Sequence, residues 1–332
     1  MSTSLVADSV SRLLGGLRAA ADNFDVTWSK VTELGLDTLL VAEAAGGFGG
    51  TWRDLFDAQR EIGRAAAVLP LGEAILASRV RSIAGFAGQQ GFGSIAFECH
   101  GSLENSTFSG CLPNIPWGRR AAWVISMCAD GRWIQLPTAQ ARSSESVNLA
   151  GEPRDTLSFT DAACQLSPTQ AASLGIEELG VLVRLGQISG ALEAVLAMTT
   201  EHVRSRIQFG KPIGSFQAVQ QQLAVMAGEV CAVSCAARAA CATVDQGSPV
   251  DSCRYGIAAA KIRANMAIGV ATATAHQLHG AIGFTEEYLL HPLTRRLWSW
   301  RTELGNDRHW AARLGTYVAR RGAGRLWGDV SR

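Results

Sequence analysis

The stretch that decides the fold reads RIQFGKPIGSFQ and occupies residues 206–217. Apolar residues at helical spacing precede it and follow it, which predicts a long amphipathic helix on each side. Gly210, Pro212 and Gly214 interrupt both patterns, because proline lacks a backbone donor and glycine favours turns. The sequence therefore predicts a sharp corner that carries a cation, an aromatic ring and amide side chains.

Composition describes an ordinary folded protein of two or three domains. The chain has 332 residues, of which 47% are hydrophobic and 18% charged, and its formal net charge is +1. These values exclude a disordered chain and give no general attraction to nucleic acid. No apolar run reaches the roughly 18 residues of a membrane span, and the N-terminal stretch has the pattern of an amphipathic helix, unlike a signal peptide. We therefore expect no membrane segment and a cytoplasmic protein.

The eight cysteines are scattered along the chain without the spacing of a metal site. Cys231 and Cys235 lie four residues apart, but no second Cys or His pair accompanies them. This pattern predicts free thiols in a reducing compartment and no bound metal.

Three regions differ in their patterns. Residues 1–92 show helical spacing and predict an N-terminal helical domain. Residues 93–170 contain short alternating runs separated by turn residues, which predict a small antiparallel β-domain. Residues 171–332 contain four long helical patterns with short connections, which predict a four-helix bundle. The expected fold is therefore mainly α with a small β-domain.

Two local patterns sharpen this prediction. Asp130-Gly131 lies between the apolar runs 123–128 and 133–136, which predicts a hairpin with a type I′ turn. The glycines in residues 46–50 allow either a phosphate cradle or a tight structural turn. They lack the Lys-Ser/Thr of a P-loop and the spacing of a dinucleotide fingerprint, so a structural turn is favoured.

The C-terminal region combines basic and aromatic residues. From Arg295 to Arg332 there are nine arginines, three carboxylates and four tryptophans. Such mixing can indicate nucleic-acid binding. Tryptophans at helical spacing, however, more often lie in a core or subunit interface rimmed by arginines. We therefore expect no nucleic-acid partner.

Two motifs, together with the order of the domains, resemble those of the acyl-CoA dehydrogenase family. The first motif is the corner, Arg206-x-Gln208-Phe209-Gly210-Lys211-Pro212-Ile213-x-x-Phe216-Gln217. The second is Gln277-x-His279-Gly280-Ala281-x-Gly283-Phe284-Thr285-x-Glu287-Tyr288. A third stretch, Glu43-x-x-Gly46-Gly47-x-Gly49, is similar to a loop in the N-terminal domain of that family.

The resemblance implies an FAD site between subunits. In the family the corner holds the pyrophosphate and adenosine of a neighbouring subunit's flavin, and the second motif closes over the same cofactor. It implies that FAD contacts seven residues: Arg206, Gln208, Phe209, Gln217, Gln277, Gly280 and Ala281. A planar guanidinium suits a diphosphate. Taken singly, Arg206 also fits an ion pair with a helix carboxylate, and Gln217 also fits a helix cap.

The resemblance also implies a catalytic base. In the family a Glu removes the α-proton of an acyl-CoA thioester while the β-hydride passes to the flavin. Counting from Tyr288 without a gap places this Glu at Leu304, one residue after Glu303. Glu303 is therefore the candidate base, and the alternative is an ion pair with Arg301 or Arg308.

The predicted β-domain departs from the family pattern. It is several tens of residues shorter than in full-length relatives and lacks two of their motifs that contact the flavin ring and the acyl-CoA. This departure suggests an α2β2 hetero-oligomer with a longer acyl-CoA dehydrogenase subunit, and a homo-oligomer is the alternative. Shortened chains of this sort resemble the paired enzymes that dehydrogenate bulky steroid side-chain thioesters. Electron-transfer flavoprotein is the implied electron acceptor.

Two hypotheses about function follow. The first is a flavin-dependent acyl-CoA dehydrogenase subunit that uses Glu303. The second is a non-catalytic partner that completes the FAD site of the longer subunit.

Overall fold

The computed structural model describes residues 5–17, 24–88, 90–168 and 174–330. The chain divides into two compact units, residues 1–58 with 68–183 and residues 59–67 with 184–332. The division into three domains at residues 92 and 170 stays a prediction.

The first unit opens with helices. Their bounds are α1 Leu5–Leu17, α2 Phe24–Glu33, α3 Trp52–Arg64, which continues into the second unit after Ala58, and α4 Leu71–Ala84. Pro70 directly precedes α4, as the sequence predicts. The first predicted helix covered residues 3–22, and residues 3, 4 and 18–22 lie outside the described residues. The helical character of this region is confirmed.

The glycine-rich loop after Val41 is a tight structural turn. The amides of Gly49 and Gly50 donate to the carbonyls of Val41 and Leu39, each at 2.8 Å. A Cβ atom on Gly47 would lie 2.3 Å from the Val41 carbonyl oxygen, so only glycine fits there. Because these amides bond within the turn, they do not offer a phosphate cradle.

Short strands follow and form two four-stranded sheets. Their bounds are β1 Gly93–Ile95, β2 His100–Glu104, β3 Thr107–Pro116, β4 Trp123–Met127, β5 Trp133–Pro137, β6 Arg142–Ser144, β7 Arg154–Ala163 and β8 Gln165–Leu166. The strand orders are β1-β4-β5-β8 and β2-β3-β7-β6. Apolar side chains from both sheets form one core that includes Phe108, Leu112, Ile134 and Leu157.

Two details of the β-region differ from the sequence prediction. The hairpin of β4 and β5 is present, with Ile125 opposite Gln135. Its turn is not type I′, because Gly131 has a positive φ of 82° and Asp130 does not; the Cys128 amide instead donates to the Arg132 carbonyl at 2.8 Å. In addition, β1 pairs with β4 in parallel, whereas the other pairs in the described residues are antiparallel.

The second unit is helical. Its helices are α5 Ile176–Ser205 (from Arg184 onward), α6 Gln217–Asp245, α7 Val250–His279, α8 Leu290–Thr302, α9 Asp307–Arg321 and α10 Leu326–Val330. Two short strands, β9 Ile207–Gln208 and β10 Lys211–Pro212, lie between α5 and α6. The four predicted long helices are confirmed as α5 to α8, and α9 is an addition. Neither Asp251 nor Ser252 caps α7, because the cap position is Pro249.

Small residues let the helices of this unit approach closely. Ala264, Ala267 and Ala271 of α7 are fully buried. A Cβ atom on Gly190 of α5 would lie 1.8 Å from the carbonyl oxygen of Arg60 in α3. The two helices therefore touch backbone to backbone at this glycine.

Two helices, α5 and α6, are long and apolar enough to cross a membrane by length and composition alone. In α5, 72% of the most apolar 18-residue stretch is buried within the protein, whereas in α6 only 28% of the corresponding stretch is buried. The core helices of many globular proteins have the same length and composition, so these two properties alone do not indicate a membrane span. What distinguishes α6 is that much of its apolar surface is uncovered.

Candidate active site and cofactor groove

The corner between α5 and α6 is a small hairpin. Gln208 of β9 lies opposite Lys211 of β10, and the residues between them, Phe209 and Gly210, have φ angles of 54° and 78°. Positive φ at both central positions is the geometry of a type I′ turn. The Ile213 amide donates to the Arg206 carbonyl at 2.9 Å and closes the corner.

Phe209 holds an unusual position in this hairpin. A left-handed backbone costs a bulky residue on the order of 1–3 kcal/mol, and such strain is concentrated at functional sites. The Phe209 side chain is nevertheless 88% exposed, so core packing does not explain the strain. Its ring meets the ring of Phe216 edge-on at 6.1 Å, and the Lys211 ammonium lies 4.4 Å from the Phe216 ring centre.

The second motif forms the turn that ends α7. Gly280 follows His279 with φ 66° and ψ −144°, a conformation that side-chain-bearing residues rarely adopt. A 3-10 turn then covers Gly280–Phe284. Gly283 is buried, and a Cβ atom there would lie 3.0 Å from the Cβ atom of His279. The glycines of this motif therefore set the path of the backbone.

The two motifs meet at one open groove of about 540 Å³. It is lined by His202, Arg206, Gln208, Phe209, Ile213, Phe216, Val219, Gln222, Gln277, Leu278, His279, Gly280 and Ala281. Six of the seven residues that the sequence assigned to the cofactor lie here. The seventh, Gln217, is exposed as the first residue of α6 and is not among the lining residues. Cofactor contact by all seven stays a prediction.

Two histidines of the groove were not singled out from the sequence. The rings of His202 and His279 stack with centres 4.4 Å apart, and Nδ1 of His279 lies 2.8 Å from the Ala275 carbonyl oxygen. Burial lowers the pKa of both rings. The nearby His279 ring and the Arg206 guanidinium lower the pKa of His202 further. Because 77 residues separate the two histidines, only the fold shows that they stack.

The structure gives Glu303 a different partner from those expected. It follows α8, and its carboxylate accepts hydrogen bonds from Nε of Arg184 at 3.0 Å and from Oγ of Ser299 at 3.3 Å. Arg301 instead pairs with Asp307 at 2.8 Å. Glu303 therefore forms its ion pair with the buried Arg184, in place of the predicted pair with Arg301 or Arg308. Glu303 does not line the groove described above, and its role as base stays a prediction.

The turn after Glu303 is held from two sides. Leu304 and Gly305 have φ angles of 57° and 95°, and the Leu304 carbonyl accepts a hydrogen bond from Nε1 of Trp310 at 2.7 Å. Lys261 of α7 is fully buried, and its ammonium donates to the Trp300 carbonyl at 2.6 Å. Burial lowers the pKa of Lys261 to about 7.

In the described ranges, no group of three or more His, Cys, Asp or Glu side chains could hold a metal ion. The expectation that the protein binds no metal stays a prediction.

Comparison with known proteins tests the predicted resemblance. The model of the family described as "Acyl-CoA dehydrogenase, C-terminal domain" matches residues 181–308, which contain both motifs and Glu303. The predicted resemblance to the acyl-CoA dehydrogenase family is confirmed over this part of the chain. That family consists of flavoprotein oxidoreductases of lipid metabolism.

Two curated relatives come from Mycobacterium tuberculosis (strain ATCC 25618 / H37Rv). The acyl-CoA dehydrogenase FadE34 is 28% identical over 89% of this chain, and the chain spans only 42% of its length. The acyl-CoA dehydrogenase IpdE2 is 26% identical over 80% of this chain, which corresponds to 77% of IpdE2.

A solved structure shares the fold. It is the Tcur3481-Tcur3483 steroid ACAD, which superposes with a TM-score of 0.83 at 20% identity and covers 95% of this chain and 97% of its own. The predicted fold class, mainly α with a small β-domain and a C-terminal helical bundle, is confirmed.

Proposed function

We propose that the protein is an FAD-dependent acyl-CoA dehydrogenase that introduces an α,β double bond into an acyl-CoA thioester. The observation that carries the proposal is the groove in which the strained, exposed Phe209 hairpin meets the glycine turn after α7. Family membership supports the reaction class, and FAD is the cofactor that the family implies.

The groove has the chemistry for the nucleotide half of FAD. Its volume of about 540 Å³ lies within the range of small-molecule sites. Arg206 supplies a fork for the diphosphate, Phe209 supplies an apolar surface, and the amides of Gln208 and Gln277 supply hydrogen bonds. The lining residues include no carboxylate that would repel the diphosphate.

Glu303 is the proposed base. The flavin, when bound, accepts the hydride from the β-carbon of the thioester. Arg184 and Ser299 would hold the Glu303 carboxylate in one orientation for the α-proton. The non-catalytic alternative is not favoured, because the curated relatives described above are named acyl-CoA dehydrogenases.

We further propose a bulky, steroid-side-chain-like acyl group and assembly with a longer acyl-CoA dehydrogenase subunit. The structural neighbour is named Tcur3481-Tcur3483 steroid ACAD. The paired designation supports assembly with a second subunit, and the word steroid supports the proposed acyl group. The uncovered apolar side chains of α6 and α7, such as Val225 and Met266, support assembly. A homo-oligomer is the alternative, electron-transfer flavoprotein is the proposed acceptor, and the cytoplasm is the proposed location.

One experiment tests the reaction and the base. The flavin absorbance and the flavin-to-chain ratio are measured with and without a co-expressed longer acyl-CoA dehydrogenase, and flavin reduction by a steroid side-chain acyl-CoA is followed in each sample. We expect flavin to be bound and reduced, and Glu303→Gln to slow reduction by about 10² or more while the flavin ratio is retained.

Glu286→Gln, at an exposed carboxylate that lies within the second motif but does not line the groove, is the matched control and should leave reduction unchanged. Equal rates in the wild type and Glu303→Gln would contradict the assignment of the base. A chain that binds no flavin in either sample would contradict the proposed function.

A further inference from the structure

His279 is the most buried polar side chain that lines the groove. Its residue is only 6% exposed, yet its Nε2 atom has no hydrogen-bond partner among the described residues. A buried polar atom without a partner is disfavoured, so native proteins rarely retain one unless water or a ligand satisfies it. The groove is the open space next to this ring.

The hydrogen bond of the other ring nitrogen defines what Nε2 can do. Nδ1 lies 2.8 Å from the Ala275 carbonyl oxygen, and a carbonyl can only accept. Nδ1 therefore carries the hydrogen. Burial lowers the pKa of His279, so the ring is neutral at pH 7 and Nε2 presents a lone pair. The groove thus contains a buried acceptor.

The surrounding groups fix this ring and keep it neutral. His202 of α5 stacks on one side with an interplanar angle of 25°, and the Tyr288 ring centre lies 5.4 Å away. The other ionisable groups near the pair are Arg206 at the end of α5 and His276 on α7, which are basic and disfavour a further positive charge. The ring has little freedom to turn its acceptor elsewhere.

An acceptor selects one part of a nucleotide. An ionised phosphate has no hydrogen to donate and suits Arg206, whereas a sugar hydroxyl donates readily. We propose that Nε2 of His279 accepts a hydrogen bond from a ribose hydroxyl of the nucleotide whose diphosphate binds Arg206. This inference rests on the proposed function and assigns the sugar contact within that site.

The test compares two nucleotides that differ only in the sugar. Binding of ADP and of 2′,3′-dideoxy-ADP to the full chain in its native assembly is measured by calorimetry at pH 7.5. We expect wild type to bind ADP about fivefold more tightly, and His279→Phe to bind both equally. His279→Gln retains an acceptor and should keep part of the preference.

The control is His276→Phe, on the same helix but outside the lining of the groove, which should retain the full preference. The preference should also be lost once the pH falls below the lowered pKa of His279, because protonation of the ring removes the lone pair. The ratio of the two affinities cancels the titration of the phosphates, which both nucleotides share. A preference that persists at a pH where NMR shows His279 to be protonated would overturn the proposal.

A measurement on wild type alone makes the test independent of how the variants fold. Long-range proton–nitrogen NMR should show the Nδ1–H tautomer for His279 and a shift of Nε2 on addition of ADP. ADP binding that depends on Arg206 but not on the sugar would overturn the sugar contact and leave the proposed function intact. Absence of ADP binding, or binding unchanged in Arg206→Ala, would overturn both.

Discussion

Phe209 and Leu304 share a left-handed backbone conformation, which glycine adopts with less strain. Phe209 lies in the corner motif, and Leu304 follows the candidate base. Each is followed by a glycine that also has positive φ. Of the three non-glycine residues with positive φ that are described in the second unit, Phe209 lies at the groove and Leu304 at the turn after Glu303, whereas Ala66 follows α3.

The strain at Phe209 can be separated from its ring. Phe209→Gly relieves the backbone, whereas Phe209→Ala removes the ring but keeps a Cβ atom. We expect the glycine variant to be more stable than the alanine variant by about 1 kcal/mol. Both should lose affinity for ADP, because both lack the ring. Urea denaturation and calorimetry check these outcomes, and equal stability of the two variants would argue against strain at this residue.

Lys261 should make the free energy of unfolding depend on pH. Its pKa is about 7 in the folded protein, below the 10.5 of an exposed lysine. Between these values the unfolded chain binds more protons, so the free energy of unfolding rises with pH by up to about 1.4 kcal/mol per unit. Lys261→Met removes this contribution.

We therefore expect the free energy of unfolding of the wild type, relative to that of Lys261→Met, to increase as the pH rises from 7 to 10. Urea titrations of both proteins across this range measure the difference. Parallel curves would show that the lysine is charged in the folded state throughout.

At the scale of elements, α3 and α5 come into contact at two glycines, one on each helix. Cβ atoms on Gly63 and Gly190 would lie 2.0 Å and 1.8 Å from carbonyl oxygens of the other helix. Beside this contact, Nε of Arg60 donates to Glu193 at 2.9 Å, and Ser234 of α6 donates to the same carboxylate at 3.0 Å. Glycine permits the close approach, and the carboxylate links three helices.

Gly190→Ala should therefore destabilise the protein by about 3 kcal/mol or more, because backbone atoms cannot move aside easily. Gly228→Ala is the matched control, since it lies in α6 and a Cβ atom there would meet nothing within 4 Å. The control should gain about 0.5–1 kcal/mol from helix propensity. Denaturant titration distinguishes them, and a neutral Gly190→Ala would contradict the backbone contact.

At the scale of the whole molecule, α6 and α7 leave apolar side chains exposed. Val225 is 59% exposed and Met266 53% exposed, and Cys231 and Cys235 are also exposed on α6. Apolar surface of this kind marks an interaction site when it is contiguous. We assign it to another acyl-CoA dehydrogenase subunit, in keeping with the proposed assembly.

A charge on this surface should prevent assembly. Val225→Glu should reduce the mass measured by light scattering to that of a smaller species and lower the flavin content, because a desolvated carboxylate opposes association. Ile83→Glu, on the exposed side of α4, is the control and should leave the mass unchanged. An unchanged mass in Val225→Glu would place the interface elsewhere.

The sequence by itself determined the helices, the β4–β5 hairpin, the corner at residues 206–217 and the resemblance to the acyl-CoA dehydrogenase family. These features depend on residues close in the chain, so periodicity, glycine and proline reveal them. The resemblance to the family named six residues that line one groove. It missed the parallel pairing of β1 with β4, because strand order depends on contacts between distant segments.

Only the tertiary structure decided the partners of the chemical groups. Arg184 reaches Glu303 across 119 residues of sequence, and His202 meets His279 across 77. Such contacts arise from helix packing, and no local pattern encodes them. The conformation of Phe209 is a similar case, since a bulky residue is not expected at positive φ. The corner was thus predictable as a turn, while the strain and the buried acceptor beside it depend on the folded chain.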